Sequence, residues 1–146
     1  MQRITVPNEL LLPEVERMLV SGTSVTLRVK GNSMQPFIEG DRDSVVLVPP
    51  ARLQKGDIVL ARLAGCRYVI HRIIRLQGEE VTLRGDGNLL RGEHCLAADI
   101  SGKVTKIVRN GKYIEADSAA ENRKAALWET ALPVRRYLLA VYRLLR

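Results

Sequence analysis

The feature that most constrains this chain is a change of hydrophobic period near residue 23. Before it, Leu11, Leu12, Val15, Met18 and Leu19 recur at the 3.6-residue spacing of an amphipathic helix, with Asn8 as its cap and Ser21-Gly22 as its stop. After it the spacing is two. In residues 24–30, Val25, Leu27 and Val29 share one face while Thr26 and Arg28 share the other, the pattern of a half-buried strand. Similar runs recur at 44–48, 57–63, 67–76, 79–84, 100–109 and 112–115. Turn signals separate them, among them Lys55-Gly56-Asp57, Gln77-Gly78, Gly85-Asp86-Gly87-Asn88 and Asn110-Gly111. No helices alternate with these strands, so a hairpin-built, mainly β domain is expected rather than a doubly wound parallel sheet. Its core is expected from Val25, Leu27, Val29, Val46, Ile58, Leu60, Val69, Ile73, Val81, Leu83, Val104 and Ile107.

Helical composition returns after Ser118, through Ala119, Ala120, Ala125, Ala126, Leu127 and Trp128, with Pro133 as a break before residues 134–146. The division implied is a β-rich domain over 1–117 with an N-terminal helix, and a basic helical tail over 118–146. On a helical projection Arg135, Arg136, Arg143 and Arg146 fall within one third of the circumference, opposite Val134, Leu138, Val141, Tyr142 and Leu145. Such a helix either packs on the body and solvates its arginines, or offers Arg135, Arg136 and Arg143 to a membrane surface or a protein partner.

Charge supports that division. The 146 residues carry a net charge of +7, yet residues 121–146 alone hold six basic and two acidic residues. The body is therefore nearly balanced, which argues against a nucleic-acid surface on it. The longest stretch without charge spans residues 18–27, far short of a spanning helix, and the N-terminus lacks a secretory apolar region. The cytoplasm is the expected compartment, with the tail as the element that would meet the inner membrane face. Cys66 and Cys95 are too few for a disulfide framework and lack the spacing of a zinc site, so both are read as reduced thiols or buried apolar residues, and neither metal nor cofactor is expected.

Chemistry is suggested at three places. Gly31-Asn32-Ser33-Met34-Gln35-Pro36 follows directly on a strand and stands Ser33 at a glycine turn, where following amides can face an oxyanion. A serine hydroxyl needs a base, and of the two histidines His71 is better placed, mid-strand with Val69 and Ile73 on its face. His94 reads as a surface loop residue. Arg84-Gly85-Asp86-Gly87-Asn88 sets a carboxylate in a tight turn, suited either to orient an imidazole or to make a plain hairpin turn.

Taken together, Gly-x-Ser-Met-x-Pro, Gly40-Asp41, Lys55-Gly56-Asp57-Ile58-Val59, Val69-Ile70-His71-Arg72-Ile73 and Arg84-Gly85-Asp86-x-Asn88 resemble the signal peptidase I and LexA superfamily of serine peptidases over roughly residues 25–108. Histidine in the slot held by lysine in bacterial signal peptidases and LexA-type repressors resembles the endoplasmic-reticulum and archaeal branch. The resemblance implies a domain of coiled antiparallel sheets. It further implies Ser33 as nucleophile, His71 as general base, Asp86 as the orienting acid, and an oxyanion hole from the Ser33 amide with Asn32 as helper. Met34 and Pro36 would border the substrate. The implied activity is cleavage of a leader-like peptide or protein precursor through an acyl-enzyme, without cofactor. The rival readings are a non-catalytic peptide-binding module and a self-cleaving regulatory module of the same fold. Signal peptidases carry a transmembrane anchor and LexA-type repressors an N-terminal DNA-binding domain; neither is expected here, since the first 23 residues read as a single helix.

Overall fold

The computed structural model describes residues 2–4, 8–65, 67–89, 92–116 and 118–145, so that Cys66 lies outside the described residues. Its elements are β1 (Gln2–Ile4), α1 (Asn8–Val20), β2 (Val25–Arg28), β3 (Asp43–Val48), β4 (Ile58–Leu63), β5 (Arg67–Gln77), β6 (Glu80–Arg84), β7 (Glu93–Leu96), β8 (Ile100–Arg109), β9 (Lys112–Glu115), α2 (Ala119–Thr130) and α3 (Arg135–Leu145). The alternating runs of the sequence thus become β2 to β6, β8 and β9, while β1 and β7 lie in segments where alternation gave no signal. His94 sits on β7 rather than in a loop, exposed and within 3.2 Å of Thr82 Oγ1.

The strands join in the order β1-β2-β3-β8-β4-β5-β6-β7, with β9 on β8. Every pairing is antiparallel except β1 with β2. Register shifts within the β3–β8, β4–β8 and β5–β6 ladders bend the sheet, as extra residues in one strand do. At Asn110-Gly111 both residues have positive φ, 51° and 77°, the primed turn that an Asn-Gly hairpin requires.

The curled sheet buries apolar residues on two sides. On one, Leu12, Val15 and Leu19 of α1 pack with Val25, Leu27, Leu47, Ile58, Leu60, Val104 and Ile107. On the other, Val59, Ala61, Val69, Ile73, Val81 and Leu83 form a second cluster. Strand β4 contributes to both, which is why its sequence runs Ile58-Val59-Leu60-Ala61 without a polar break. All twelve core residues expected from alternation are buried.

Ser118 caps α2, accepting from the Glu121 amide at 3.2 Å. Helix α3 departs from expectation. Its buried residues are Arg135 and Leu139, whereas Tyr137, Leu138, Val141, Leu144 and Leu145 are exposed, as is Val134 just before it. The basic arc faces the body in part, so Arg135, at 1% exposure, is not a surface contact for a membrane or partner. Arg136 is exposed and lies over the Tyr137 ring at 5.1 Å, while Arg143 is tied inward to Gln35.

Candidate active site

Ser33 stands in the tight turn that follows β2. Gly31 takes a φ of 82°, open to glycine at no steric cost, and a Cβ on Gly40 would overlap the Gly31 backbone. Asp43, the first residue of β3, fixes the far side of this loop: its carboxylate accepts from Arg42 Nε at 2.9 Å, Arg109 Nε at 3.2 Å and the Glu39 amide at 2.9 Å. Burial pushes the Asp43 carboxyl up, but hydrogen bonds from Arg42, Arg109 and the Glu39 amide outweigh it and hold the group below its ordinary value.

His71 comes from β5, paired with Val59 of β4. The ladder to β6 begins one residue later, at Arg72 opposite Arg84, so Gly85 falls at the level of His71 just past the strand end. That glycine decides the geometry. A Cβ there would overlap the Ser33 carbonyl oxygen and stand 3.1 Å from His71 Nε2. Gly87 is equally constrained, its amide donating to the Ser33 carbonyl at 2.7 Å while a Cβ would meet the Asn32 carbonyl at 2.5 Å. Two glycines therefore let the 85–88 turn lie directly against the serine turn, with the imidazole edge beside both.

The other ring nitrogen identifies the acid. His71 Nδ1 lies 2.8 Å from Glu93 Oε1, at the start of β7. A carboxylate only accepts, so Nδ1 donates to Glu93 and Nε2 is the ring nitrogen turned toward the Ser33 turn. The histidine side chain is 6% exposed, while the Glu93 side chain keeps 23% of its surface open to solvent.

Asp86 is placed elsewhere. Its two oxygens accept from Arg72 Nε at 2.8 Å and Arg72 Nη2 at 2.7 Å, a buried bidentate pair. Arg72 also donates to the Gly56 carbonyl at 2.9 Å and lies over the Phe37 ring at 4.9 Å. The expectation that Asp86 orients the imidazole is thus corrected: Asp86 braces the turn through Arg72, and Glu93 faces His71. The sequence held one signal for Glu93, a carboxylate five residues after the Gly-Asp-Gly-Asn turn, but no alternation marked its strand.

Ser33 and His71 line one cleft of about 130 Å³ together with Leu27, Val29, Met34 and Tyr68. Met34 is 2% exposed and accepts from the Asp86 amide at 3.4 Å, so it is a floor rather than a wall. Asn32 is exposed, its side-chain oxygen accepting from Gln35 Nε2 at 3.3 Å. Pro36 does not border this cleft: it lines a larger groove of about 500 Å³ with Phe37, Leu127, Trp128 and Leu138. Cys95 of β7 is half-buried and free, burial pushing its thiol pKa up. Among the described residues no cluster of His, Cys, Asp or Glu is arranged to hold a metal ion. No helix there is long and apolar enough to cross a membrane.

The fold thus brings the Ser33 turn, the buried His71 imidazole and the Glu93 carboxylate on its far ring nitrogen to one place. The chain matches the family model described as Peptidase S24-like over residues 3–105, and it belongs to that family, within the LexA and signal peptidase superfamily. No curated protein matches the chain.

Proposed function

We propose that the protein is a serine endopeptidase of the histidine type, cleaving an extended peptide or protein precursor through an acyl-enzyme. The observation that carries this reading is the orientation of His71, with Nδ1 on Glu93 and Nε2 beside the Ser33 turn. Ser33 Oγ attacks the scissile carbonyl as its proton passes to His71 Nε2, and the imidazolium that forms is stabilised by Glu93. The oxyanion rests on the Ser33 amide with Asn32 as helper. Collapse of the tetrahedral adduct breaks the C–N bond, the amine leaving with the proton from Nε2. Water then attacks the ester as His71 Nε2 takes its proton, the C–Oγ bond breaks, that proton passes to Ser33 Oγ, and the carboxylic acid product leaves.

The shape of the cleft supports an extended substrate. On the side of β5 away from β4, the β6 ladder spans only Arg72–Gln77, so among the described residues the 67–71 edge has no strand beside it there. Tyr68, Val69 and Ile70 form one wall of the cleft and Leu27, Arg28, Val29 and Lys30 the other. A peptide strand laid between them would add to the sheet and bring its carbonyl to Ser33. The cytoplasm is the compartment we propose.

The test is mass-spectrometric profiling of a peptide library with wild type and variants in parallel. Cleavage by wild type and none by Ser33→Ala is the expected result. Glu93→Gln should lower kcat by about 10²–10⁴-fold, as loss of the tautomer-fixing acid does. Asp86→Asn should instead lower stability, since it leaves Arg72 half-paired. Absence of any Ser33-dependent cleavage would defeat the proposal in favour of a binding module, and a fragment formed only from the chain itself would assign self-cleavage.

A further inference from the structure

The C-terminal helices lie outside residues 3–105, the part matched to the family. Their polar contacts converge on the two turns of the site. Trp128 Nε1 donates to the Asp86 carbonyl at 2.6 Å. Arg135 donates to the carbonyls of Asn88 and Trp128, each at 3.1 Å, and its guanidinium stacks on the Trp128 ring at 5.0 Å. Glu129 lies 2.5 Å from Arg84 and 3.6 Å from Arg135. On the serine turn, Arg143 Nε donates to Gln35 Oε1 at 2.9 Å and the Tyr142 hydroxyl meets Glu39 Oε1 at 3.3 Å. The 85–88 turn and the Ser33 turn are joined by the Gly87 amide on the Ser33 carbonyl.

Arg135 is 1% exposed on a helix that runs along the surface. Burial, then the nearby Arg84 charge, pulls its pKa down against the opposing pull of Glu129. A buried guanidinium is a costly anchor, and an apolar residue such as neighbouring Leu139 would fasten the helix as well. What a guanidinium adds is directed donors that fix carbonyls in place.

We propose that α2 and α3 form a positioning element for the active site, in which Trp128 and Arg135 hold the 85–88 turn through the Asp86 and Asn88 carbonyls and so set the distance between Ser33 and His71. The proposal rests on the hydrolase reading above for its catalytic consequence, though not for its structural one. Neither residue touches substrate. They act through Gly85 and Gly87, whose backbone spaces the imidazole from the serine turn, where a displacement of about 1 Å can cost about 10²-fold in rate.

The experiment uses the full chain. Trp128→Phe keeps an aromatic ring under Arg135 but removes the donor to Asp86, and Arg135→Lys keeps the charge but loses the paired donors. Arg123→Ala, at an exposed position of α2, is the control. Hydrogen exchange at the Gly87 amide is compared with exchange in the β8–β9 hairpin, and the rate at which a fluorophosphonate labels Ser33 is measured alongside. Each positioning variant should speed Gly87 exchange about tenfold with the hairpin unchanged, and slow labelling about 10–100-fold. For a cleaved peptide kcat should fall with KM unchanged, and Arg123→Ala should alter none of these. Gly87 exchange that does not change, or that rises in step with the hairpin, overturns the proposal. Failure of wild type to label at all defeats the hydrolase reading instead, and the exchange comparison still decides whether the helices position the turn. Should Trp128→Phe not fold, Arg135→Lys carries the same readouts.

Discussion

The chain carries an amphipathic helix near each end, and the two dock by opposite faces. Helix α1 buries Leu12, Val15 and Leu19 against the apolar side of the sheet. Helix α3 turns Arg135, Tyr142 and Arg143 toward the body and leaves Leu144 and Leu145 more than 80% exposed. The difference lies in the receiving surface. Strands β2, β3 and β8 offer α1 an apolar floor, whereas α3 meets turn carbonyls and the polar side chains of Gln35 and Glu39. Helical periodicity shows that a helix has two faces; which one is buried is decided by what it lands on.

The comparison can be sharpened by substitutions at both ends. Leu19→Ala, in the packed face of α1, should lower unfolding free energy by about 3 kcal/mol or more, measured by urea denaturation. Leu139→Ala, the buried apolar residue of α3, should cost about 2 kcal/mol, the low end of the same range, because much of that interface is polar. A cost equal to that of Leu19→Ala would show that α3 is held by its apolar contact after all.

The acid limb of stability probes the loop on which α3 rests. Asp43 is held below its ordinary value, 3.8, so its contribution is complete above that pH and is lost as pH falls through the lowered folded value. Wild type should therefore lose stability below about pH 4, while Asp43→Asn, less stable at neutral pH, should show a flatter acid limb. Equal slopes in acid titrations of the two proteins would remove Asp43 as the origin. Smallest of all, Leu144→Glu on the outward face should change stability by less than about 0.5 kcal/mol. A larger loss would mean that this face is covered in solution.

Legibility in the sequence followed the same line. Strand alternation delivered the sheet and its core, because one-sided burial writes itself into every second residue, whereas Ser33 and His71 were singled out by the resemblance of their motifs. Strands β1 and β7 were missed: β1 has three residues, and β7 runs Glu93-His94-Cys95-Leu96, with only half-buried and exposed positions. With β7 went Glu93, whose pairing with His71 is made across β6 by tertiary placement that local spacing does not encode. Asp86 had the conspicuous motif, but its turn serves to bring two backbones together, and its carboxylate is taken by Arg72 from the neighbouring strand. The docking of α3 was hidden for the reason given by the two helices.

The backbone-to-backbone contact of Gly85 and Gly87 with the Ser33 turn has a consequence for any saturation scan of this chain. A hydroxyl or an imidazole is lost only when its own residue changes, and such a loss spares the fold. At Gly85 and Gly87 even one added methyl would enter space held by main-chain oxygens, so alanine should be as intolerable there as tryptophan. Two silent columns beside three chemical ones would be the signature of this site: the first unresponsive to the kind of side chain, the second defined by it.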